Sequence, residues 1–355
     1  MVSNSTGRPV PLKAHERCVI RALNGRAGVG LSQADLNMHE KYTMKLIVQP
    51  DAGVTPIVSA IRSAKKFLDV LIFRFDRKEI SDALAAAVRH GVAVRALIAH
   101  TNKGGEKSLR KLELLLLEAG VTVSRTADDL VRYHAKLMIV DHRALHVYGF
   151  NLTRLDIKRS RSFGIVTRNK RLVDEALKLF EADSTRQPYT TGSDRFIVSP
   201  ENARDRLSAF IAGARKQLII YDPKVSDPAI LRLLADRVKA GVDVRIIGTL
   251  GEAKNGLTSE RYPGKRLHVR AIVRDGKRAF VGSQSLRKIE LEKRREVGII
   301  VDDASVVHGI QQVFEQDWAL TPAAKKEAEQ KKDGEQDKAK DESGDAKATQ
   351  ASSPG

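Results

Sequence analysis

The chain has 355 residues, of which 42% are apolar, and 62 lysines and arginines against 44 acidic residues give it a net charge of +18. This composition is globular rather than disordered, and the length allows one large domain or two smaller ones. The single cysteine, Cys18, excludes internal disulfides and a cysteine-built zinc site, and the sequence has no apolar run of the roughly 18 residues that a membrane span needs.

The two ends of the chain differ from its middle. Residues 1–43 lack the apolar core of a secretory signal, so we expect a cytoplasmic protein that is either soluble or peripheral to a membrane. Residues 323–355 hold seven lysines, eight acidic residues and no large apolar side chain, which predicts a charged tail that is disordered or loosely helical. The tail has a net charge of −1, so residues 1–322 carry +19, an excess that suits nucleic acid, an anionic lipid surface or a small phosphodiester.

Strand-like and helix-like patterns alternate along the middle of the chain. The predicted strands include Lys45–Val48, Leu68–Phe73 and Val92–Ile98. The predicted helices between them include Val54–Lys66, Glu79–His90 and Lys107–Ala119. This alternation indicates an α/β layered fold.

An internal repeat gives a second level of organisation. At an offset of 150 residues, Gly91-Val92-Ala93-Val94-Arg95 matches Gly241-Val242-Asp243-Val244-Arg245, and Ala64-Lys65-Lys66 matches Ala214-Arg215-Lys216. We therefore predict two copies of one unit, over residues 44–190 and 191–320. They would lie between an N-terminal extension (1–43) and the charged tail (321–355).

A polar motif occurs once in each copy, at an offset of 134 residues. Its members are His134, Lys136, Asp141 and Asn151 in the first copy, and His268, Arg270, Asp275 and Ser285 in the second. In both copies the histidine and the cation are two residues apart in an apolar run, so on a strand their side chains leave the same face. The aspartate comes at a polar turn, and Asp275-Gly276 is typical of a hairpin.

These residue types suit the cleavage of a phosphodiester. A histidine nucleophile can attack phosphorus to form a phosphohistidine, which splits one difficult displacement into two easier ones. A second histidine can protonate the departing oxygen, while lysine and arginine stabilise the charge on the phosphoryl oxygens. The aspartates could orient the imidazoles, and the asparagine or serine could donate a further hydrogen bond. This chemistry needs no metal or other cofactor.

The two motifs resemble H-x-K-x(4)-D-x(6)-G-S-x-N, the signature that members of the phospholipase D superfamily carry twice. The resemblance covers about residues 44–320. It implies two homologous repeats, each a mixed β-sheet flanked by helices, packed as a pseudo-dimer with both motifs at one cleft. Gly282 and Ser283 match the Gly-Ser of the second motif. Glu296 matches an acidic position that the family often shows. The resemblance implies that Ser283 and Glu296 contact substrate. Since one chain carries both motifs, a monomer is sufficient for the site.

The chain departs from this pattern at several positions. Tyr148 and Gly149 replace the Gly-Ser of the first motif, and Ser162 stands where the second copy has Glu296. In the second motif arginine replaces lysine, which keeps the charge but changes its geometry, and serine replaces asparagine. These departures leave a degenerate, non-catalytic phosphate-binding protein as one alternative.

The substrate is a separate question, because the superfamily includes phospholipases, cardiolipin synthases, other phosphatidyl transferases and nucleases. The segments Asn151–Asp156 and Gly282–Arg287 are similar to bacterial phospholipase D-like and cardiolipin synthase-like sequences, which favours a phospholipid at an anionic membrane surface. We therefore predict a phosphodiesterase or phosphatidyltransferase with His134 as nucleophile and His268 as general acid, with the exchange of these two roles as the alternative. Nucleic acid is the alternative substrate, although an aromatic content of 5% offers few base-stacking positions.

Overall fold

The computed structural model describes residues 44–100, 106–252, 256–326 and 328–330 of the chain. Two mixed sheets with helices between their strands make up this part of the chain, as the α/β prediction requires. The first sheet contains β1 (Lys45–Gln49), β2 (Phe67–Ile72), β3 (Ala93–Ile98), β4 (Thr122–Arg125), β6 (Leu137–Val140), β7 (Ala144–Tyr148) and β8 (Ser162–Thr167). The second contains β5 (Arg132–Tyr133), β9 (Phe196–Ser199), β10 (Gln217–Val225), β11 (Asp243–Leu250), β12 (Ala271–Arg274), β13 (Arg278–Gly282) and β14 (Arg294–Val301).

The helices connect these strands along the chain. In the first repeat they are α1 (Thr55–Ser63), α2 (Lys78–Arg89), α3 (Glu106–Glu118), α4 (Arg154–Arg159) and α5 (Lys170–Thr185). In the second repeat they are α6 (Ala203–Ala212), α7 (Pro228–Lys239), α8 (Lys288–Glu292) and α9 (Ala304–Trp318).

The two sheets share one strand order. The first runs β1-β8-β7-β6-β2-β3-β4, and the second follows the same sequence of elements as β9-β14-β13-β12-β10-β11. In both sheets the pair that follows the first crossover helix is parallel, β2 with β3 and β10 with β11. This correspondence confirms the predicted fold of two homologous repeats, each a mixed sheet flanked by helices.

The short strand β5 joins the two repeats. It belongs to the first repeat in sequence but pairs in parallel with β14 of the second, where Arg132 lies opposite Arg294 and Tyr133 opposite Arg295. At the equivalent place in the other half, Arg161 and Leu267 form an isolated parallel bridge. The chain segment before each motif histidine is therefore bonded to a strand of the other repeat.

Alternation along the strands divides the core into layers. The inner faces of both sheets form one apolar cluster, to which Leu137 and Ile139 contribute from the first repeat and Val273 and Val281 from the second. The outer faces are covered separately. Met138 and Val140 belong to a cluster under α1, α2 and α3, and its counterpart lies under α6 and α7.

The predicted hairpins are present in both repeats. Asp141 and His142 have φ of 50° and 51°, and Asp275 and Gly276 have φ of 54° and 63°, so both turns use the left-handed region. One predicted helix was too long at its end. It stops at Ser63 rather than Lys66, because Ala64 is extended and the chain turns directly into β2.

Part of the predicted organisation falls outside the described residues. Residues 1–43 and 331–355 are among these, so the extension and most of the charged tail stay predictions. The beginning of that tail is helical at 322–326 and 328–330. The proposed repeat boundaries at 190 and 320 also stay predictions.

Candidate active site

The two motif histidines lie just before β6 and β12, in extended segments that bond to the opposite repeat. The backbone N–H of His134 donates to the carbonyl of Arg295 at 2.8 Å, and that of His268 donates to the carbonyl of Arg161 at 3.0 Å. Sequence analysis predicted strand positions for the histidine and cation, and the structure places them immediately before the strands. Each imidazole therefore lies against side chains of the other repeat.

The cations of the two motifs make equivalent local contacts. Lys136 Nζ donates to the carbonyl oxygen of His134 at 2.5 Å, and Arg270 Nη1 donates to that of His268 at 2.9 Å. Lys136 Nζ also lies 3.0 Å from the ring nitrogens of His134. Arg270 Nε donates to Ser285 Oγ at 3.2 Å, so serine at the second-motif asparagine position fixes the guanidinium.

The two histidines and the two cations, His134, Lys136, His268 and Arg270, are all buried and interact electrostatically with one another. Burial, then the charges of Lys136 and Arg270, lowers the pKa of His134 well below its usual value. Burial, then the charges of Arg270 and Lys136, lowers the pKa of His268 in the same way, and His134 itself contributes to that shift. Cations from both repeats thus act on both imidazoles, which places the two rings near each other and keeps them neutral at pH 7 in the free protein.

Burial also lowers the pKa of Lys136, to about 7. This ammonium group is 3% exposed, and Glu296 only partly offsets the cost of keeping its charge away from water. A bound phosphodiester would supply negative charge and stabilise the protonated lysine. It would also favour protonation of the imidazole that serves as acid.

Glu296 is the carboxylate partner of His134. The Nδ1 atom of His134 lies 2.9 Å from Oε2 and 3.0 Å from Oε1 of Glu296, which is fully buried on β14. Burial raises the pKa of Glu296, and the charge of Lys136 and a hydrogen bond from Ser283 counteract that shift. A carboxylate on Nδ1 favours the tautomer with its proton there, which leaves the lone pair of the ring on Nε2.

The other imidazole has a looser carboxylate contact. His268 Nδ1 lies 3.8 Å from Oδ2 of Asp156 on α4, beyond hydrogen-bond distance. The same oxygen accepts from the backbone N–H and the side-chain amide of Asn151 at 2.8 and 2.7 Å, and Arg266 donates to the second oxygen. Within the described part of the chain, His268 Nδ1 and the hydroxyl of Ser162 are buried without a hydrogen-bond partner. The two halves of the site are therefore unequal.

The motif aspartates lie at the far end of the sheet from the imidazoles. Asp141 accepts hydrogen bonds from the backbone N–H groups of Lys65, Lys66 and Phe67, at the start of β2. Asp275 does the same for residues 215–217 at the start of β10. Their expected role in orienting the imidazoles is thus wrong, because each carboxylate is held at a turn one strand length away.

The two residues expected to contact substrate are instead enclosed. Ser283 Oγ donates to the carbonyl of Val297 and accepts from the N–H of the same residue, at 3.3 and 3.1 Å. Glu296 is occupied by His134, as described above. Both side chains are thus held in contacts within the protein, and their direct contact with substrate stays a prediction.

Sequence reasoning missed several residues of the site. Asp156 follows Asn151 by five residues, and Glu290 follows Ser285 by five and accepts its backbone N–H at 2.7 Å. That common spacing was the available signal. Phe73 was also missed; its ring meets His134 edge-on with the centroids 4.5 Å apart.

Gly149 shows why the first motif departs from the Gly-Ser pattern. A Cβ atom at this position would lie 3.0 Å from the carbonyl oxygens of both Gly282 and Phe163. The glycine allows β7 to end against the backbone of the second repeat. Close packing between the repeats thus favours glycine here, where the second motif has Ser283.

No helix within residues 44–100, 106–252, 256–326 and 328–330 combines the length and apolar character needed to cross a bilayer.

The chain is similar in sequence to a bacterial lipid enzyme. It is 23% identical over 357 aligned positions to cardiolipin synthase 1 of Bacillus anthracis, and the alignment covers 82% of this chain and 70% of that protein.

Two solved structures have a similar fold. Phosphatidylserine synthase from Haemophilus influenzae Rd KW20 aligns with a TM-score of 0.60 and 12% identity, over 86% of this chain and 90% of that one. Polyphosphate kinase from Porphyromonas gingivalis aligns with a TM-score of 0.65 and 18% identity, over 77% of this chain. The chain spans only 46% of that kinase.

The family described as "Cardiolipin synthase, PLD-like domain" matches the chain twice, at residues 57–184 and 207–318. The two matches fall in the two repeats and include both histidine motifs. The chain belongs to this family, within the phospholipase D superfamily.

Proposed function

We propose that the chain is a phosphodiesterase of the phospholipase D type that cleaves or transfers the phosphatidyl group of phospholipids through a phosphohistidine. The observation that carries this proposal is that His134, Lys136, His268 and Arg270 are all buried and that the cation of each repeat acts on the imidazole of the other. The lipid names of the relatives, a cardiolipin synthase and a phosphatidylserine synthase, support a phospholipid as the substrate class.

The proposed first step forms the bond between His134 Nε2 and phosphorus. The bond from phosphorus to the departing alcohol oxygen breaks, and His268 donates a proton to that oxygen. Lys136 and Arg270 stabilise the negative charge on the two non-bridging oxygens. Glu296 holds Nδ1–H of His134, so the ring can carry the phosphoryl group without losing its orientation.

The second step reverses these roles. His268, now neutral, accepts a proton from water or from a lipid alcohol, whose oxygen attacks phosphorus as the bond to His134 breaks. Water gives hydrolysis, and an alcohol gives transfer. Both histidines come from one chain, so the proposed site needs no second subunit.

Trapping the covalent intermediate tests the assignment of roles. Phospholipid vesicles labelled with ³²P in the phosphate are mixed with protein, quenched in base and mapped by mass spectrometry. We expect label on His134, none in a His134→Ala variant, and label that persists longer in a His268→Ala variant. Label on His268 in the wild-type protein would reverse the two roles.

A parallel assay tests the substrate class, since the +19 on residues 1–322 also suits a polyanion. Fluorescent phosphatidylglycerol vesicles and labelled DNA are offered separately, both with chelator present. Headgroup release without DNA cleavage supports the lipid reaction. DNA cleavage alone would make the protein a nuclease. If wild type and His134→Ala are inert on both substrates while both still bind anionic vesicles, the protein is a non-catalytic phosphate-binding protein.

A further inference from the structure

Two arginines lie side by side where the repeats join. Arg132 on β5 and Arg294 on β14 are register partners in a parallel pair. Side chains of neighbouring strands start about 5 Å apart, and like charges in such positions repel. Arg132 is half-buried, so water screens this repulsion less than on an open surface.

More positive charge surrounds the same place. The guanidinium carbons of Arg74 and Arg132 lie 5.2 and 5.4 Å from the centre of the Phe73 ring, and Lys136 Nζ lies 5.5 Å from it. The ring of Phe73 is also the one that contacts His134. Burial, then the charges of Arg294 and Arg74, lowers the pKa of Arg132. Cations therefore concentrate on one side of the proposed nucleophile.

The second repeat provides an internal comparison, because Arg266 is the counterpart of Arg132 at the motif offset of 134. Arg266 Nη1 donates to Oδ1 of Asp156 and to Ser160 Oγ, so its charge is neutralised by a carboxylate.

In the first half, the equivalent carboxylate is occupied. Glu290, the counterpart of Asp156, accepts from Arg294 at 3.1 Å and from Arg287 at 3.3 Å. Among the described residues, no carboxylate lies within ion-pair distance of the Arg132 guanidinium. The counterpart of Arg294 in the first repeat is Ser160, which carries no charge. Two arginines therefore compete for one carboxylate only in the half of the site that contains His134.

We propose that Arg132, together with Arg74 and Arg294, forms a second anion subsite beside His134 that binds a substrate phosphate other than the one under attack. A partly desolvated guanidinium without an ion-pair partner raises the free energy of the ligand-free protein, and an anion that binds to it removes this cost. The source of that phosphate rests on the proposed function: in transfer to a phospholipid alcohol, the acceptor carries a phosphodiester of its own.

Binding of inorganic probes tests the subsite without any turnover. Calorimetry compares tripolyphosphate with phosphate for wild type, Arg132→Gln and Arg89→Gln. Arg89 lies in the last turn of α2, before β3 begins, whereas Phe73 follows the end of β2, which runs parallel to β3. Its change to glutamine removes the same charge. We expect the ratio of tripolyphosphate to phosphate affinity to fall about tenfold or more in Arg132→Gln and to stay unchanged in Arg89→Gln. An unchanged ratio in Arg132→Gln, whether both affinities stay the same or fall by the same factor, would overturn the proposal.

Thermal melting separates a ligand-binding arginine from a structural one. Arg132→Gln should not lower the melting temperature of the ligand-free protein, since it removes a repelled charge. Arg266→Gln should lower it, because it leaves Asp156 buried without its ion-pair partner. If Arg132→Gln melts as low as Arg266→Gln, the Arg132 cation is structural and the subsite is refuted.

A transfer assay then distinguishes the sources of the phosphate. With one phospholipid donor, glycerol and glycerol 1-phosphate are compared as acceptors. In Arg132→Gln the KM for glycerol 1-phosphate should rise about tenfold more than the KM for glycerol. Equal KM changes with an altered tripolyphosphate ratio would assign the subsite to a free phosphate chain. Absence of both hydrolysis and transfer in wild type would contradict the proposed function, while the binding ratio would still decide the subsite.

Discussion

His134 Nδ1 lies 2.9 Å from Glu296 Oε2, although the two residues are 162 positions apart and belong to different repeats. The contact follows from β5, which carries the chain before His134 onto β14 and places the ring beside the third residue of that strand. The equivalent approach of His268 to Asp156 is 3.8 Å. This inequality is the structural basis for assigning different roles to the two imidazoles.

A Glu296→Gln substitution should slow formation of the phosphohistidine by about 10²-fold or more. Glutamine keeps the size of the side chain and can still accept a hydrogen bond from Nδ1–H, but it loses the negative charge that stabilises the cationic form of His134. Rapid-quench measurement of labelled protein gives this rate directly. Glu118→Gln, an exposed change on α3, serves as control, and equal rates in all three proteins would show that Glu296 does not act through His134.

An Asp156→Asn substitution should affect the acid step selectively. The carboxylate of Asp156 stabilises the protonated form of His268, which is needed only when the departing oxygen requires a proton. The rate should fall about tenfold more for a phospholipid than for a p-nitrophenyl phosphodiester, whose phenolate leaves without protonation. Equal losses on the two substrates would indicate that Asp156 only supports Asn151 and Arg266.

Local patterns were sufficient to predict much of this molecule from its sequence. The alternation of strands and helices, the duplication and the two hairpins depend on periodicity and on turn residues such as Asp275-Gly276, which act within a few positions. The four buried groups of the cleft follow from two spaced motifs, because a duplicated unit packs as a pseudo-dimer.

The partners of those groups could not be predicted in the same way. Glu296 meets His134 only because β14 lies beside β5, and a single sequence does not reveal which strands of two repeats will pair. The true environment of Asp141 depends on backbone N–H groups about 75 residues earlier. The residue type of Asp141 suggested a catalytic role. In the structure, the pairing of the strands places its carboxylate at the start of β2, where it holds backbone N–H groups.

An Asp141→Ala substitution should therefore lower stability rather than the rate of the folded enzyme. Removing an acceptor from three N–H groups at a turn costs about 1 kcal/mol, by analogy with a helix N-cap. Chemical denaturation measures this loss, and the rate per folded molecule should match wild type. A large fall in rate with unchanged stability would restore a catalytic role for Asp141.

The pH dependence of that stability loss has a definite sign. Burial alone would raise the pKa of Asp141, but hydrogen bonds from Lys66, Phe67 and Lys65 lower it below its unfolded value. The stabilisation is present above the unfolded pKa and disappears as pH falls through the folded one. The difference between wild type and Asp141→Ala should therefore shrink in acid, and a difference that grows in acid would contradict this account.

A Lys136→Arg substitution should move the alkaline limit of activity upward. Lys136 has a pKa lowered to about 7 by burial, so its ammonium is charged below this pH and becomes neutral as pH rises through it. The kcat/KM of wild type, which reports the free enzyme, should then fall above about pH 7, because the charge that stabilises the phosphoryl oxygens is lost. A p-nitrophenyl phosphodiester isolates this effect, since protonation by His268 is not required. Arginine stays charged, so the variant should turn over more slowly at pH 6 but show no decline near pH 7.

The equivalent position of the second repeat, Arg270, is already an arginine and allows the reciprocal test. An Arg270→Lys substitution should make the decline of activity above pH 7 steeper. An alkaline limit at the same pH in wild type and Lys136→Arg would mean that another group controls it.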